Sequence, residues 1–207
     1  MELVVVTSPR KKEGEAADII RMFDAGLNRL HLRKPGVSKK YLQELIEQIP
    51  KQYRKHIVIH SNHDYAFKYK LGGIHISKKH RKKAFRLRLK IRWYRFRYPH
   101  LIITRSCHKL GDLLSDRNPY NYVFLSPIYD SITANNLSAN FNRRGLMHTM
   151  EQCPHRVYAM GGVQPQKFQE IAELGFSGAA ILGHIWGTPE NRVERFLECK
   201  EKWHSAL

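Results

Sequence analysis

The feature that most limits what this chain can fold into is a repeated pair: a short apolar run followed by a stretch with apolar residues at helical spacing. Leu3 to Thr7 is apolar and largely β-branched, and Ala16 to Ala25 then places Ile19, Ile20 and Phe23 on one helical face before Gly26. The pair recurs as Leu30 to Leu32 with Tyr41 to Ile49, Ile57 to Ile59 with Tyr65 to Tyr69, and Ile74 to Ile76 with a basic segment. It continues as Leu101 to Ile103 with Leu110 to Leu114, and Tyr122 to Leu125 with a long loop. Val157 to Met160 with Phe168 to Leu174, and Ala179 to Leu182 with Val193 to Trp203, complete the series.

Alternating strands and helices imply parallel pairing through right-handed crossovers, and runs of this apolarity imply strands buried on both faces. Eight such units predict a closed (β/α)8 barrel of the TIM type, one α/β domain over residues 1–207. An open doubly wound sheet is the rival, and it gains ground where helices are poorly marked, after the fourth and sixth strands. A typical barrel of this kind has about 250 residues, so loops here must be short.

Strand ends are where such a barrel keeps its chemistry. The second strand runs into His31-Leu32-Arg33-Lys34-Pro35-Gly36, two cations at the rim, where an arginine fork suits a diphosphate or a neighbouring carboxylate. The third ends in His60-Ser61-Asn62-His63-Asp64 and the fourth in His75-Ile76-Ser77; this mixture suits hydrogen-bonded strand ends and helix caps, with metal ligation as the alternative. The fifth runs into Thr104-Arg105-Ser106-Cys107-His108 and the sixth into Ser126 to Thr133, hydroxyl-rich segments suited to phosphate or a heterocycle. After the seventh comes Gly161-Gly162-Val163-Gln164-Pro165 and after the eighth Gly183-His184-Ile185-Trp186, turns whose free amides can face a phosphate.

Read in order, these strand ends resemble the thiamine phosphate synthase and thiazole tautomerase superfamily from Leu3 to about Trp186. The stretches carrying the resemblance are His31 to Lys34, Gly73 to Ile76, Ser106 to His108, Phe124 to Thr133, the Gly161-Gly162 turn and Gly178 to Ile185. The resemblance implies a transferase that joins an aminopyrimidine methyl diphosphate to a thiazole phosphate, releasing diphosphate with Mg2+ as cofactor. It places Arg33, Lys34 and Ser106 in catalysis on the diphosphate. It gives substrate contacts to His31, His60, Ser131, Thr133, Gly162, Leu182 and Gly183. The chain departs from the family at defined points: His31 stands for a glutamine, His60-Ser61 for an Asn-Asp pair, and Ala134 for a lysine. Ser61 and His80 occupy the two acidic metal positions, which leaves the metal ligands unassigned. The tautomerase branch uses a histidine where this chain has Pro127, so a base there would come from His108 or His60.

Composition narrows the partners. Lysine plus arginine outnumber aspartate plus glutamate 36 to 18, a formal charge of +18 that steers any anion toward the protein. Lys78 to Arg97 alternates cations with Phe85, Leu87, Leu89, Ile91, Trp93 and Phe96. That run is read as a solvated element laid on the barrel, cations outward and apolar groups buried, with nucleic-acid binding as the rival from another class. No sequence-specific nucleic-acid contact is expected, and a phosphate-binding barrel without catalysis is the other alternative. Three scattered cysteines suit reduced thiols, and Met1 to Thr7 matches neither a secretory signal nor a spanning helix. The expectation is a cytoplasmic protein with no membrane partner, and a homodimer is among the assemblies the sequence allows.

Overall fold

In the computed structural model, which describes residues 1–77, 84–129 and 141–206, eight parallel strands close into a barrel in chain order. The strands are β1 (Glu2–Val6), β2 (Leu30–Leu32), β3 (Ile57–Ile59), β4 (Gly73–Ile76), β5 (Ile102–Cys107), β6 (Tyr122–Leu125), β7 (Val157–Met160) and β8 (Gly178–Ile181). Closure comes from β1 pairing with β8, Glu2 opposite Gly178 through Val5 opposite Ile181. The open sheet is thereby excluded.

Helices follow the strands: α1 (Glu15–Asp24), α2 (Lys39–Gln48), α3 (Lys51–Arg54), α4 (Asp64–Lys68), α5 (Ala84–Arg97) and α6 (Leu110–Ser115). After them come α7 (Arg143–Gln152), α8 (Phe168–Glu173), α9 (Gly183–Trp186) and α10 (Arg192–Ser205). In α1 the buried Ile19, Met22 and Phe23 recur at helical spacing, and Gly26 beyond its end takes the left-handed φ of 92°. In α2 the side chain of Ser38 accepts from the Tyr41 amide at 3.1 Å, capping the first turn.

Two apolar clusters divide the core. The larger lies between sheet and helices and takes Leu30, Leu32, Ile57, Ile59, Ile74 and Ile76 from β2 to β4. The smaller fills the barrel with Val4, Val6, Tyr122, Phe124, Tyr158 and Ala180, where Tyr122 stacks on Tyr158 at 4.3 Å. Side chains of successive strand residues therefore alternate between helix layer and barrel interior.

Three sequence expectations are corrected. The sixth unit, read as a loop, includes α7, whose first turn is capped by Asn142 Oδ1 accepting from the Gly145 amide at 2.7 Å. The fifth strand runs on to Cys107, because Thr104 to Cys107 pair with Tyr122 to Leu125 of β6. Thr104 to Cys107 are thus strand and not rim loop, and Arg105 turns outward to an ion pair with Asp116. The basic run forms α5, but a two-residue alternation cannot match a 3.6-residue turn. Ile91 is fully buried, whereas Trp93 is 55% and Phe96 87% exposed among the cations. The part of that run at 78–83 lies outside the described residues.

The two ends of the chain are tied together by charge. Arg192, at the start of α10, donates through Nη1 to Asp18 Oδ2 at 2.7 Å and to the Glu13 carbonyl at 2.9 Å, with its side chain 4% exposed. Above β7, Gly161 has φ 90°, and a Cβ there would lie 2.8 Å from Pro127 Cα, so the turn can pass over the β6 loop only as glycine.

Two outcomes follow from these contacts. Asp18→Ala strips a buried guanidinium of its partner and should cost about 3 to 5 kcal/mol in chemical denaturation. Gly161→Ala should cost about 1 to 3 kcal/mol in the same assay, from the left-handed backbone alone. A wild-type midpoint in either variant would show that the contact does not hold the fold.

Candidate functional site

Alternation along short strands decides what faces the mouth of the barrel. In β2, Leu30 and Leu32 turn to the helices, and His31 between them points inward with no exposed surface. In β4, Ile74 and Ile76 turn outward and His75 inward. His60, one residue past β3, completes a set of three imidazoles from neighbouring strands.

Their hydrogen bonds are specific. His31 Nδ1 lies 2.9 Å from His60 Nε2, and His31 Nε2 lies 2.5 Å from the Tyr122 hydroxyl. His75 Nδ1 lies 2.8 Å from Thr104 Oγ1, and its Nε2 lies 3.1 Å from Ser106 Oγ. The rings of His60 and His75 stack with centroids 4.0 Å apart, while Phe124 meets His31 edge-on at 4.7 Å. Burial first, and the neighbouring His75 next, push the pKa of His31 and of His60 well below the usual imidazole value. Both are therefore neutral at physiological pH, each carrying one N–H and one lone pair, and both nitrogens of His31 are engaged by His60 and Tyr122.

The two rim cations have different fates. The backbone of Arg33 is clamped by Thr7: the Arg33 amide donates to Thr7 Oγ1 at 2.9 Å, and that hydroxyl donates to the Arg33 carbonyl at 3.1 Å. Burial lowers the guanidinium's pKa, yet among the described residues it has no carboxylate partner. Arginine remains charged under such burial, so the charge is held for an incoming anion. Lys34 is turned the other way. Its Nζ is sealed against Glu15 at 2.5 Å and donates to the Arg10 carbonyl at 2.8 Å, with no side-chain exposure. The carboxylate pairing weighed for Arg33 has gone to Lys34, and the shared diphosphate contact expected of Lys34 has no geometric support.

The remaining candidates line the same rim. Ser106 is on β5, facing inward beside His75. His108 is exposed and holds the Ser126 carbonyl through Nδ1 at 2.7 Å. Gly162 adopts φ 67° after Gly161, and Leu182 leads into α9, which Trp186 anchors by donating from Nε1 to the Val6 carbonyl at 2.9 Å. Pro165 opens a 3-10 turn, Pro165–Lys167, ahead of α8. His80, Ser131 and Thr133 lie outside the described residues, as do Asp130 and Ala134.

Tyr122 and Phe124 are site groups that the sequence pattern did not single out. Parity was the available signal, since Tyr122 and Phe124 fall at alternate positions of β6 and share the inward face.

Magnesium asks for hard oxygen ligands in near-octahedral array. Among the described residues, the His, Cys, Asp and Glu side chains that converge closely enough for one ion are His31, His60 and His75, with no carboxylate. These groups do not fit magnesium.

No curated protein matches the chain. Among solved structures, thiamine phosphate pyrophosphorylase from Bacteroides thetaiotaomicron is 27% identical with a TM-score of 0.77, covering 98% of this chain and 97% of that one. The Pyrococcus furiosus thiamine phosphate pyrophosphorylase is 18% identical with a TM-score of 0.78, over 100% and 96% of the two chains. A 3-hexulose-6-phosphate synthase, 13% identical with a TM-score of 0.71 over 98% and 99%, shares the fold. With the barrel and its rim in place, the match of the thiamine monophosphate synthase model to residues 3–185 shows that this chain belongs to that family.

Proposed function

We propose that this barrel is a thiamine phosphate synthase that joins an aminopyrimidine methyl diphosphate to a thiazole phosphate and releases diphosphate. The family match over residues 3–185 carries the reading, and a rim guanidinium without a carboxylate partner among the described residues supports it.

The reaction needs little proton transfer. The bond between the methylene carbon and the diphosphate oxygen breaks with its electron pair on oxygen, and the thiazole nitrogen then donates its lone pair to that carbon. Catalysis lies in stabilising the departing diphosphate and in aligning the two rings. Arg33 meets the leaving group with its planar fork, held in place by the Thr7 clamp on its backbone. Neutral His60, at the end of β3, meets the pyrimidine edge without adding positive charge beside the developing cation, and His31, whose two nitrogens are held by His60 and Tyr122, orients it. Ser106 adds a hydroxyl to the same wall.

Beyond β7 and β8, the amides of Gly162, Leu182 and Gly183 receive the thiazole phosphate, where the Gly161-Gly162 turn brings backbone close. By the family resemblance, Ser131 and Thr133 would supply hydroxyls to the substrates. Lys34 shapes the rim through Glu15 and the Arg10 carbonyl and takes no part in the chemistry. No step is assigned to magnesium. Among the described residues no helix is long and apolar enough to cross a membrane.

The decisive assay incubates the purified protein with both phosphorylated substrates and detects thiamine phosphate by oxidation to a fluorescent product. Product should form; its absence with substrates shown to be intact would overturn the reading. Arg33→Lys keeps the charge but not the fork, and should lower the rate about ten- to a hundredfold, equivalent to about 1.5 to 3 kcal/mol. Equal rates in two proteins with matching circular dichroism would remove Arg33 from the mechanism.

A further inference from the structure

Three imidazoles converging inside a barrel are unusual because each burial costs solvation. Among the described residues the cluster of His31, His60 and His75 has its potential ligand atoms within 4.8 Å of one another.

The hydrogen bonds around the cluster have the pattern of an outer shell. A metal-bound histidine generally donates its far N–H to a fixed acceptor, which sets its tautomer and aims its other nitrogen. His31 Nε2 meets the buried Tyr122 hydroxyl at 2.5 Å and His75 Nδ1 meets the buried Thr104 hydroxyl at 2.8 Å. His31 Nδ1 and His60 Nε2 are thereby brought to 2.9 Å, and His75 Nε2 faces the mouth beside Ser106.

We infer that His31 Nδ1, His60 Nε2 and His75 Nε2 form a three-nitrogen site for a divalent cation of the zinc class. Imidazole suits zinc, cobalt and nickel, whereas magnesium prefers oxygen. Three protein nitrogens leave a fourth position, which here opens toward Ser106 for water or an anionic oxygen. Coordination requires one local adjustment. His60 lies face to face with His75 and must turn its ring so that Nε2 points at the ion, which its partly exposed place beyond β3 permits.

The test uses the full chain without organic substrates, so its outcome is independent of thiamine phosphate formation. Chelator-treated protein is titrated with Co2+ and then with Zn2+ against a chromogenic chelator. One equivalent of Co2+ should bind with the intense visible absorption of a four-coordinate site, and Zn2+ should displace it. His31→Gln with His60→Asn replaces two imidazoles by amides and should abolish that absorption while circular dichroism is unchanged. Tyr122→Phe keeps all three ligands and should weaken Zn2+ binding about ten- to a hundredfold. Absence of stoichiometric uptake by the wild-type protein would overturn the site. So would uptake that is the same in Tyr122→Phe and in each single histidine variant, because the ion would then sit elsewhere.

Discussion

Closure of the sheet by β1 against β8 is the constraint on which the rest of this structure depends. An open sheet has two faces to cover, but a closed one of eight strands creates an interior just wide enough for side chains to fill. Whatever points inward loses water whether or not it is apolar. The interior meets this with Val4, Tyr158 and Ala180, and the mouth meets it with His31 bonded to His60 and Tyr122 and with His75 bonded to Thr104 and Ser106. The neutral state of His31 is thus a consequence of topology: closure removes the water that would hydrate an imidazolium.

Much of this was legible in the chain. Eight apolar runs separated by helical patterns gave the strand count, and parallel pairing followed from the alternation. What the runs concealed was parity. Leu-His-Leu in β2 and Ile-His-Ile in β4 read as apolar strands interrupted by a polar residue, yet they are outward-inward-outward triplets whose middle member lines the site. The helix α7 was hidden for another reason: RRGLMHTMEQ begins with two arginines and a glycine, and only Leu146 and Thr149 of it are buried. Its existence is set by packing and by the Asn142 cap more than by pattern.

Charge tells a similar story about what composition conveys. An excess of 36 cations over 18 anions predicts an affinity for anions but not where they bind. Most of the described cations on α5 ride the surface with Trp93 and Phe96, whereas Arg105 and Arg192 are buried and spent on Asp116 and Asp18. Screening at physiological ionic strength, with a Debye length of about 8 Å, leaves surface lysines and arginines only a weak, unselective pull on anions. Selection of a diphosphate requires a cation that is partly desolvated and still unspent.

Arg33 and Lys34 show how the chain makes that distinction with adjacent residues. The ladder of β2 continues past Leu32, since the His60 amide donates to the Leu32 carbonyl and the Arg33 amide to Thr7. Parity therefore persists: His31 inward, Leu32 outward, Arg33 toward the mouth, Lys34 toward α1. There Glu15 waits in the first turn of α1, a position already favourable for a carboxylate near the helix N-terminus. Burial opposes both charges of that pair, raising the Glu15 carboxyl and lowering the Lys34 ammonium, and their contact opposes both shifts. A single-residue slip of β2 would exchange the two roles, burying the arginine against Glu15 and presenting a lysine to the ligand. The fork that reads a diphosphate is thus secured by strand register, and the register by the apolar Leu30 and Leu32 that must face the helices.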